Sequence, residues 1–141
     1  MREIRAVPVG ELMSKPVVTV TPETGIDELT RLMDKYEYNA FPVVNAVGAL
    51  QGLVSRLDLF KLYLLRYQRF IPALEETWIS SVGGIMTRGV VALYPVEPAI
   101  KAIALMVEYR IRTIPIVTDE AAGRVVVGVV TRRDLASALK P

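Results

Sequence analysis

Two stretches of this chain are copies of one pattern, and that repetition restricts the possible folds more than any single motif does. The first copy reads ELMSKPVVTVTPETGIDELTRLMDKYEYNAFPVV and then GLVSRLDLF; the second reads GIMTRGVVALYPVEPAIKAIALMVEYRIRTIPIV and then GVVTRRDLA. Met13 with Met86, Pro22 with Pro95, Met33 with Met106, Tyr36 with Tyr109 and Pro42 with Pro115 all stand 73 residues apart. Beyond Pro115 the offset is 76, as Gly52 with Gly128 and Asp58 with Asp134 show. Three residues are therefore inserted, and the turn TDEAAGR is expected to hold them, because insertions in a repeat belong in loops. The organisation is a first repeat over 1–71, a joining segment over 72–81 and a second repeat over 82–141.

Each copy predicts the same order of elements. Val17–Val20 and Val90–Leu93 are short apolar, β-branched runs closed by Thr-Pro or Tyr-Pro, the pattern of a buried strand running into a turn. A helix follows. In the first copy Thr24 is its expected N-cap, with Asp27 three residues on, and Ile26, Leu29, Leu32, Met33 and Tyr36 share one face. In the second, Pro98 suits the first helical turn, with Ile103, Met106, Val107 and Tyr109 as the apolar positions. Two strands come next, Pro42–Val44 and Leu50–Val54, matched by Pro115–Val117 and Val125–Val130. Ser55 or Thr131 then opens the closing helix. The fold class is α/β (α+β), two βαββα repeats. A half of roughly 60 residues buries too little apolar surface to stand alone, so the two are expected to pack sheet-to-sheet around a pseudo-twofold axis.

The side-chain inventory removes whole classes of chemistry. The 141 residues contain no histidine and no cysteine, which excludes disulfides, thiolate nucleophiles, a histidine base and the commonest zinc ligands. No carboxylate cluster or lone lysine is singled out as an acid or base, so no enzymatic activity, catalytic cofactor or metal is expected. The first sixteen residues, MREIRAVPVGELMSKP, lack the apolar core of a signal peptide. The longest apolar stretch, Leu57 to Leu65, is interrupted by Asp58 and Lys61 and closed by Arg66, too short and too charged to span a bilayer. A cytoplasmic protein without a membrane partner is expected. Seventeen basic residues against fifteen acidic ones leave a net charge of +2, spread along the chain, so nothing in the charge demands a nucleic acid.

The closing motifs, GLVSRLD and GVVTRRD, have two compatible readings. A Ser or Thr followed three residues later by Asp at the head of an apolar helix is close to a capping box, in which hydroxyl and carboxylate satisfy free backbone N–H groups. The same helix start offers free donors and a positive dipole end to an anion. An Asp one turn on can also accept two hydrogen bonds from a ribose diol.

These motifs, with LMSKPVVTVTP against IMTRGVVALYP and FPVV against IPIV, resemble the cystathionine β-synthase (CBS) domain, whose repeats occur as tandem pairs called Bateman modules. The likeness covers nearly the whole chain. It implies binding of an adenine nucleotide (AMP first, also ADP or ATP), with Ser55 and Thr131 near phosphate and Asp58 and Asp134 on ribose. It also nominates Lys15 and Val17 with Tyr38, Asn39 and Ala40 around one adenine, and Arg88, Val90, Ile111, Arg112 and Thr113 around the other. Arginine's planar fork suits phosphate, which nominates Arg56, Arg132 and Arg133 inside the motifs and Arg110 and Arg112 before the second IPIV. Arg112 is expected to serve the Asp58 site. Asn39 and Ala40 stand at the corresponding positions of the first repeat, so the two sites are expected to differ in affinity or preferred phosphate number.

Leu57, Leu59, Phe60, Leu62, Tyr63, Leu64, Leu65, Tyr67, Phe70 and Ile71 make the first closing helix apolar on nearly every face. Such a helix must be covered on more than one side. Cover by its own repeat and the Trp78 segment is one solution; a homodimer, which the family commonly forms, is the favoured one. The resulting picture is a regulatory nucleotide sensor acting in trans on a separate, unidentified partner protein. A module for S-adenosylmethionine or another adenosyl ligand, and an interaction protein with degenerate pockets, are the alternatives.

Overall fold

The computed structural model describes residues 3–15, 17–67 and 79–139. The joining segment, Trp78 included, lies outside the described residues over 72–78, as do Phe70 and Ile71. The first repeat opens with a one-turn helix α1 (Val9–Leu12) and continues as α2 (Ile26–Tyr36), β1 (Ala40–Val44), β2 (Leu50–Ser55) and α3 (Arg56–Tyr67). The second repeat supplies α4 (Ala99–Tyr109), β3 (Thr113–Glu120), β4 (Gly123–Thr131) and α5 (Arg132–Ala138). Strands β1 and β2 form one two-stranded sheet, β3 and β4 another.

The strands expected at Val17–Val20 and Val90–Leu93 are each reduced to one parallel bridge, Val20 with Val43 and Leu93 with Ile116. Proline explains why. The Val20 amide donates to the Pro42 carbonyl (3.0 Å) and its carbonyl accepts from Val44 (2.8 Å). Extending that ladder in one direction needs an N–H from Pro42, and in the other an N–H from Pro22; neither exists. Pro115 and Pro95 stop the Leu93 bridge in the same way.

Helix starts depart from expectation by one residue. Thr24 is not the cap of α2. Gly25 holds that position without a side-chain bond, because the Thr24 hydroxyl is drawn back to accept from the Thr21 amide (3.0 Å). Pro98 likewise stands at the N-cap of α4, and Glu97 closes the preceding turn by accepting from the Tyr94 amide at 2.8 Å. The α4 core face is Ala99, Ala102 and Met106, whereas Val107 and Tyr109 are exposed.

The three inserted residues do not lengthen a loop; they lengthen a ribbon. Thr118, Asp119 and Glu120 pair with Val125, Arg124 and Gly123, leaving two residues in the turn. An odd insertion would put the inward side chains of one strand on the wrong face. The register shift between Ile116 and Val117, where β4 steps from Gly128 to Val126 and leaves Val127 over, absorbs the odd residue as a bulge.

Two compact units result, and neither follows the order of the chain. One comprises residues 18–46 and 51–90, the other residues 1–17, 47–50 and 91–141. The lead-in of each repeat belongs to the unit built on the other repeat. Ser14 bridges Val129 of β4 in one unit, and its counterpart Thr87 bridges Leu53 of β2 in the other. Upstream, the Val9 and Gly10 amides donate to Glu97 and Pro95, and those of Val82 and Gly83 to Thr24 and Pro22. Each unit closes its own core: Val9, Leu93, Ala102, Met106, Ile114, Ile116 and Val130 in one, and Val20, Leu29, Met33, Phe41, Val43, Val54 and Val82 in the other.

These bridges explain the glycine that opens each closing motif. A Cβ on Gly52 would overlap the Thr87 carbonyl, a backbone obstacle, whereas one on Gly128 would meet the Met13 Sδ at 2.6 Å, a side chain able to move, and the Ser14 carbonyl only at 3.2 Å. Gly52→Ala is therefore expected to destabilise by roughly 2–3 kcal/mol and Gly128→Ala by less than about half of that, as for other overpacked sites. Denaturant melts of the two variants check the order.

Candidate functional site

Each unit gathers three segments at the head of its closing helix. In one, the Arg56 amide donates to the Asn39 carbonyl (2.9 Å), tying the segment before β1 to the start of α3, and Thr87 lies on β2 two residues before Ser55. In the other, the Arg132 amide donates to the Arg112 carbonyl (3.0 Å), and Ser14 lies on β4 two residues before Thr131. Tyr38, Asn39, Ala40, Ser55, Arg56, Asp58, Arg88 and Val90 thus share one unit, and Lys15, Val17, Arg110, Ile111, Arg112, Thr113, Thr131, Arg132, Arg133 and Asp134 share the other. Lys15, Val17 and Arg112 lie in the compact unit of Ile111–Thr113 and Asp134, and Arg88 and Val90 in that of Tyr38–Ala40 and Asp58.

Both Ser/Thr-x-x-Asp corners form the reciprocal capping box. The Asp58 amide donates to Ser55 Oγ (3.2 Å) while the Ser55 amide donates to Asp58 Oδ2 (2.8 Å). The Asp134 amide donates to Thr131 Oγ1 (3.1 Å) and the Thr131 amide to Asp134 Oδ2 (2.9 Å). A cap of this kind contributes about 1 kcal/mol. The next amide in each helix, of Leu57 or Arg133, donates to no acceptor among the described residues. All four capping residues are half-buried.

The two corners differ in which atoms are spent. The Ser55 hydroxyl also donates to Asp58 Oδ2 at 3.0 Å, and Asp58 Oδ1 has no donor among the described residues. At the other corner the Thr131 proton has no acceptor among them, but the Ser14 hydroxyl donates across both Asp134 oxygens, at 3.1 and 3.2 Å. Residue-type reasoning missed Ser14; its equivalence to Thr87, 73 residues on, was the available signal.

The arginines divide as unevenly. The Arg56 guanidinium is committed to the carbonyls of Tyr38 (2.9 Å) and Met33 (2.9 Å), so it braces the end of α2. Arg132 makes only a 3.2 Å bond to the Ile111 carbonyl, and Arg112 and Arg133 are exposed with no ion pair among the described residues. Arg88 is exposed as well. Tyr38 lies between the rings of Tyr36 (5.8 Å) and Phe41 (5.4 Å), an aromatic contact that fixes the loop carrying Asn39.

Among the described residues no group of three or more carboxylates could hold a metal ion, and no helix is long and apolar enough to cross a membrane.

The model of the CBS domain family matches residues 9–65 and again 82–141. A Methanocaldococcus jannaschii protein, MJ1426, is 30% identical over 93% of this chain and 90% of its own length. L-aspartate semialdehyde sulfurtransferase of the same organism is also 30% identical, but the chain spans only 22% of that enzyme. Among solved structures, CBSX2 in complex with AMP has a TM-score of 0.79 at 25% identity, covering 94% of this chain and 95% of its own. The CBS domain pair of protein MJ0100, in complex with 5′-methylthioadenosine and S-adenosyl-L-methionine, has a TM-score of 0.77 at 28% identity with the same coverage.

Glu37 and Arg110, 73 residues apart, end α2 and α4 in the left-handed region, at φ 54° and 55°. A side chain there costs about 1 kcal/mol relative to glycine, yet each residue leads directly into a site segment. Arg110→Gly and Glu37→Gly are expected to raise stability by up to about that amount, less the added freedom of glycine in the unfolded chain. A rise in melting temperature in both variants checks the strain.

Proposed function

The chain belongs to the CBS domain family, and on that footing we propose that it is a regulatory module that binds an adenosyl ligand, AMP first and ADP or ATP second, without chemistry of its own. The observation that carries this reading is the doubled Ser/Thr-x-x-Asp corner, half-buried at the head of a helix, with a free amide beside it in each unit. A carboxylate such as Asp58 accepts from a vicinal diol, and the free amide with a hydroxyl donates to phosphate. CBSX2, seen with AMP, supports the choice of ligand.

Arg112, Arg132 and Arg133 give the Asp134 unit more exposed guanidinium charge than Arg88 gives the other. The Asp134 unit is therefore the better candidate for di- and triphosphates, and the Asp58 unit for AMP or an uncharged adenosyl group. Protein MJ0100, seen with S-adenosylmethionine and methylthioadenosine, supports the second reading, an adenosyl ligand without phosphate. Binding acts as a signal only if the ligand prefers one conformation over another, and the output passes to a partner protein in the cytoplasm.

Homodimerisation through α3 is part of the proposal. Leu62 is buried, but Leu57, Phe60, Tyr63 and Leu64 are between 51% and 71% exposed on the other faces of that helix. Apolar residues so placed mark an interaction surface.

A thermal-shift panel of AMP, ADP, ATP and S-adenosylmethionine tests the ligand. At a hundred times its dissociation constant a ligand adds about 2.7 kcal/mol, and Asp58→Ala with Asp134→Ala should remove that gain beyond the capping loss they already cause. No shift with any of the four would rule the sensor out. Light scattering tests the dimer: twice the 15.6 kDa chain mass is expected for the wild type and a single chain mass for Phe60→Glu, and a monomeric wild type at micromolar concentration sinks the interface.

A further inference from the structure

We propose that Ser14 sets the ribose selectivity of the Asp134 site, by occupying the carboxylate that its counterpart leaves open at Asp58. The inference rests on the adenosyl-binding reading above and deepens it.

Ser14 and Thr87 are equivalent by sequence and by backbone. Each forms an antiparallel bridge two residues before the capping hydroxyl, Ser14 through its amide to Val129 (2.8 Å) and Thr87 through its amide to Leu53 (2.8 Å). Their side chains do different things. Ser14 Oγ straddles Asp134 at 3.1 and 3.2 Å, whereas the Thr87 hydroxyl makes no hydrogen bond among the described residues and is exposed.

A carboxylate offers about four acceptor positions. At Asp58 the capping amide and the Ser55 hydroxyl both use Oδ2, and Oδ1 is open to a diol. At Asp134 the capping amide uses Oδ2, and the Ser14 proton is shared between Oδ2 and Oδ1. A ribose 2′-hydroxyl approaching Asp134 competes with the Ser14 proton for Oδ1, so part of its gain is offset by weakening that existing hydrogen bond. At Asp58 it fills an unused position. The Asp58 site is thus the one that distinguishes ribose from deoxyribose, and the Asp134 site draws its affinity from the rest of the ligand. Because Ser14 holds β4 through its backbone, removing the hydroxyl leaves the bridge intact.

Calorimetric titration of the full chain with AMP and with 2′-deoxy-AMP tests this. In Asp134→Ala, which keeps only the Asp58 carboxylate, AMP is expected to bind about tenfold more tightly than 2′-deoxy-AMP. In Asp58→Ala the preference falls below about threefold, and adding Ser14→Ala restores it by roughly three- to tenfold while tightening AMP. Ser14→Cys, with its weak donor, gives the same direction should the alanine variant fold poorly, and Thr87→Ala changes neither preference. An equal 2′-hydroxyl preference at the two sites with Ser14 present, or weaker AMP binding in the Ser14 variants, overturns the inference and makes Ser14 a residue that positions Asp134. Absence of binding by the wild type of AMP, ADP, ATP and S-adenosylmethionine alike overturns the adenosyl reading itself.

Discussion

The bridge between Ser14 and Val129, repeated between Thr87 and Leu53, is the contact on which both units depend. It fastens the lead-in of each repeat to the last strand of the other, so that neither core is completed by contiguous sequence. Val9 enters the core of the second repeat and Val82 that of the first, both fully buried. Such an exchange makes the stabilising contacts long-range, and their loop-closure entropy must be met before the buried surface repays it. The glycines of the closing motifs follow from the same contact, since the lead-in runs too close to β2 and β4 for a side chain.

Much of this was legible in the sequence, because the periodic signals are local. The repeat, the helices α2 and α4, the hairpins and the capping corners follow from spacing alone. What was not legible depended on partners distant in the chain. Val17–Val20 has every property of a strand, yet only its last residue pairs, because the neighbouring β1 carries a proline where the next donor is needed. Thr24 has the right type and place for a cap, but the Thr21 amide, freed by the Pro22 turn, competes for its hydroxyl. That Lys15 falls in the compact unit of Asp134 rather than that of Tyr38 is not visible from chain order, because the lead-ins are exchanged. An insertion of three residues likewise reads as a loop until the bulge at Val127 shows how an odd number fits a ribbon.

At the doubled corner a structural role and the proposed binding role are compatible. Capping needs one carboxylate oxygen and the acceptor lone pair of the hydroxyl; ligand binding needs the other oxygen and, at Thr131, the unspent proton. The atoms do not compete at Asp58 Oδ1 or at the Thr131 proton. They do compete at the Ser55 proton, already given to Asp58, and at Asp134, already held by Ser14. The two corners share a scaffold but leave different side-chain atoms unspent, an acceptor oxygen at Asp58 and a hydroxyl proton at Thr131. On the adenosyl-binding proposal, a ligand carrying both a diol and a phosphate would find each corner partly prepared, and the cost of rearranging the remaining group would separate the two affinities.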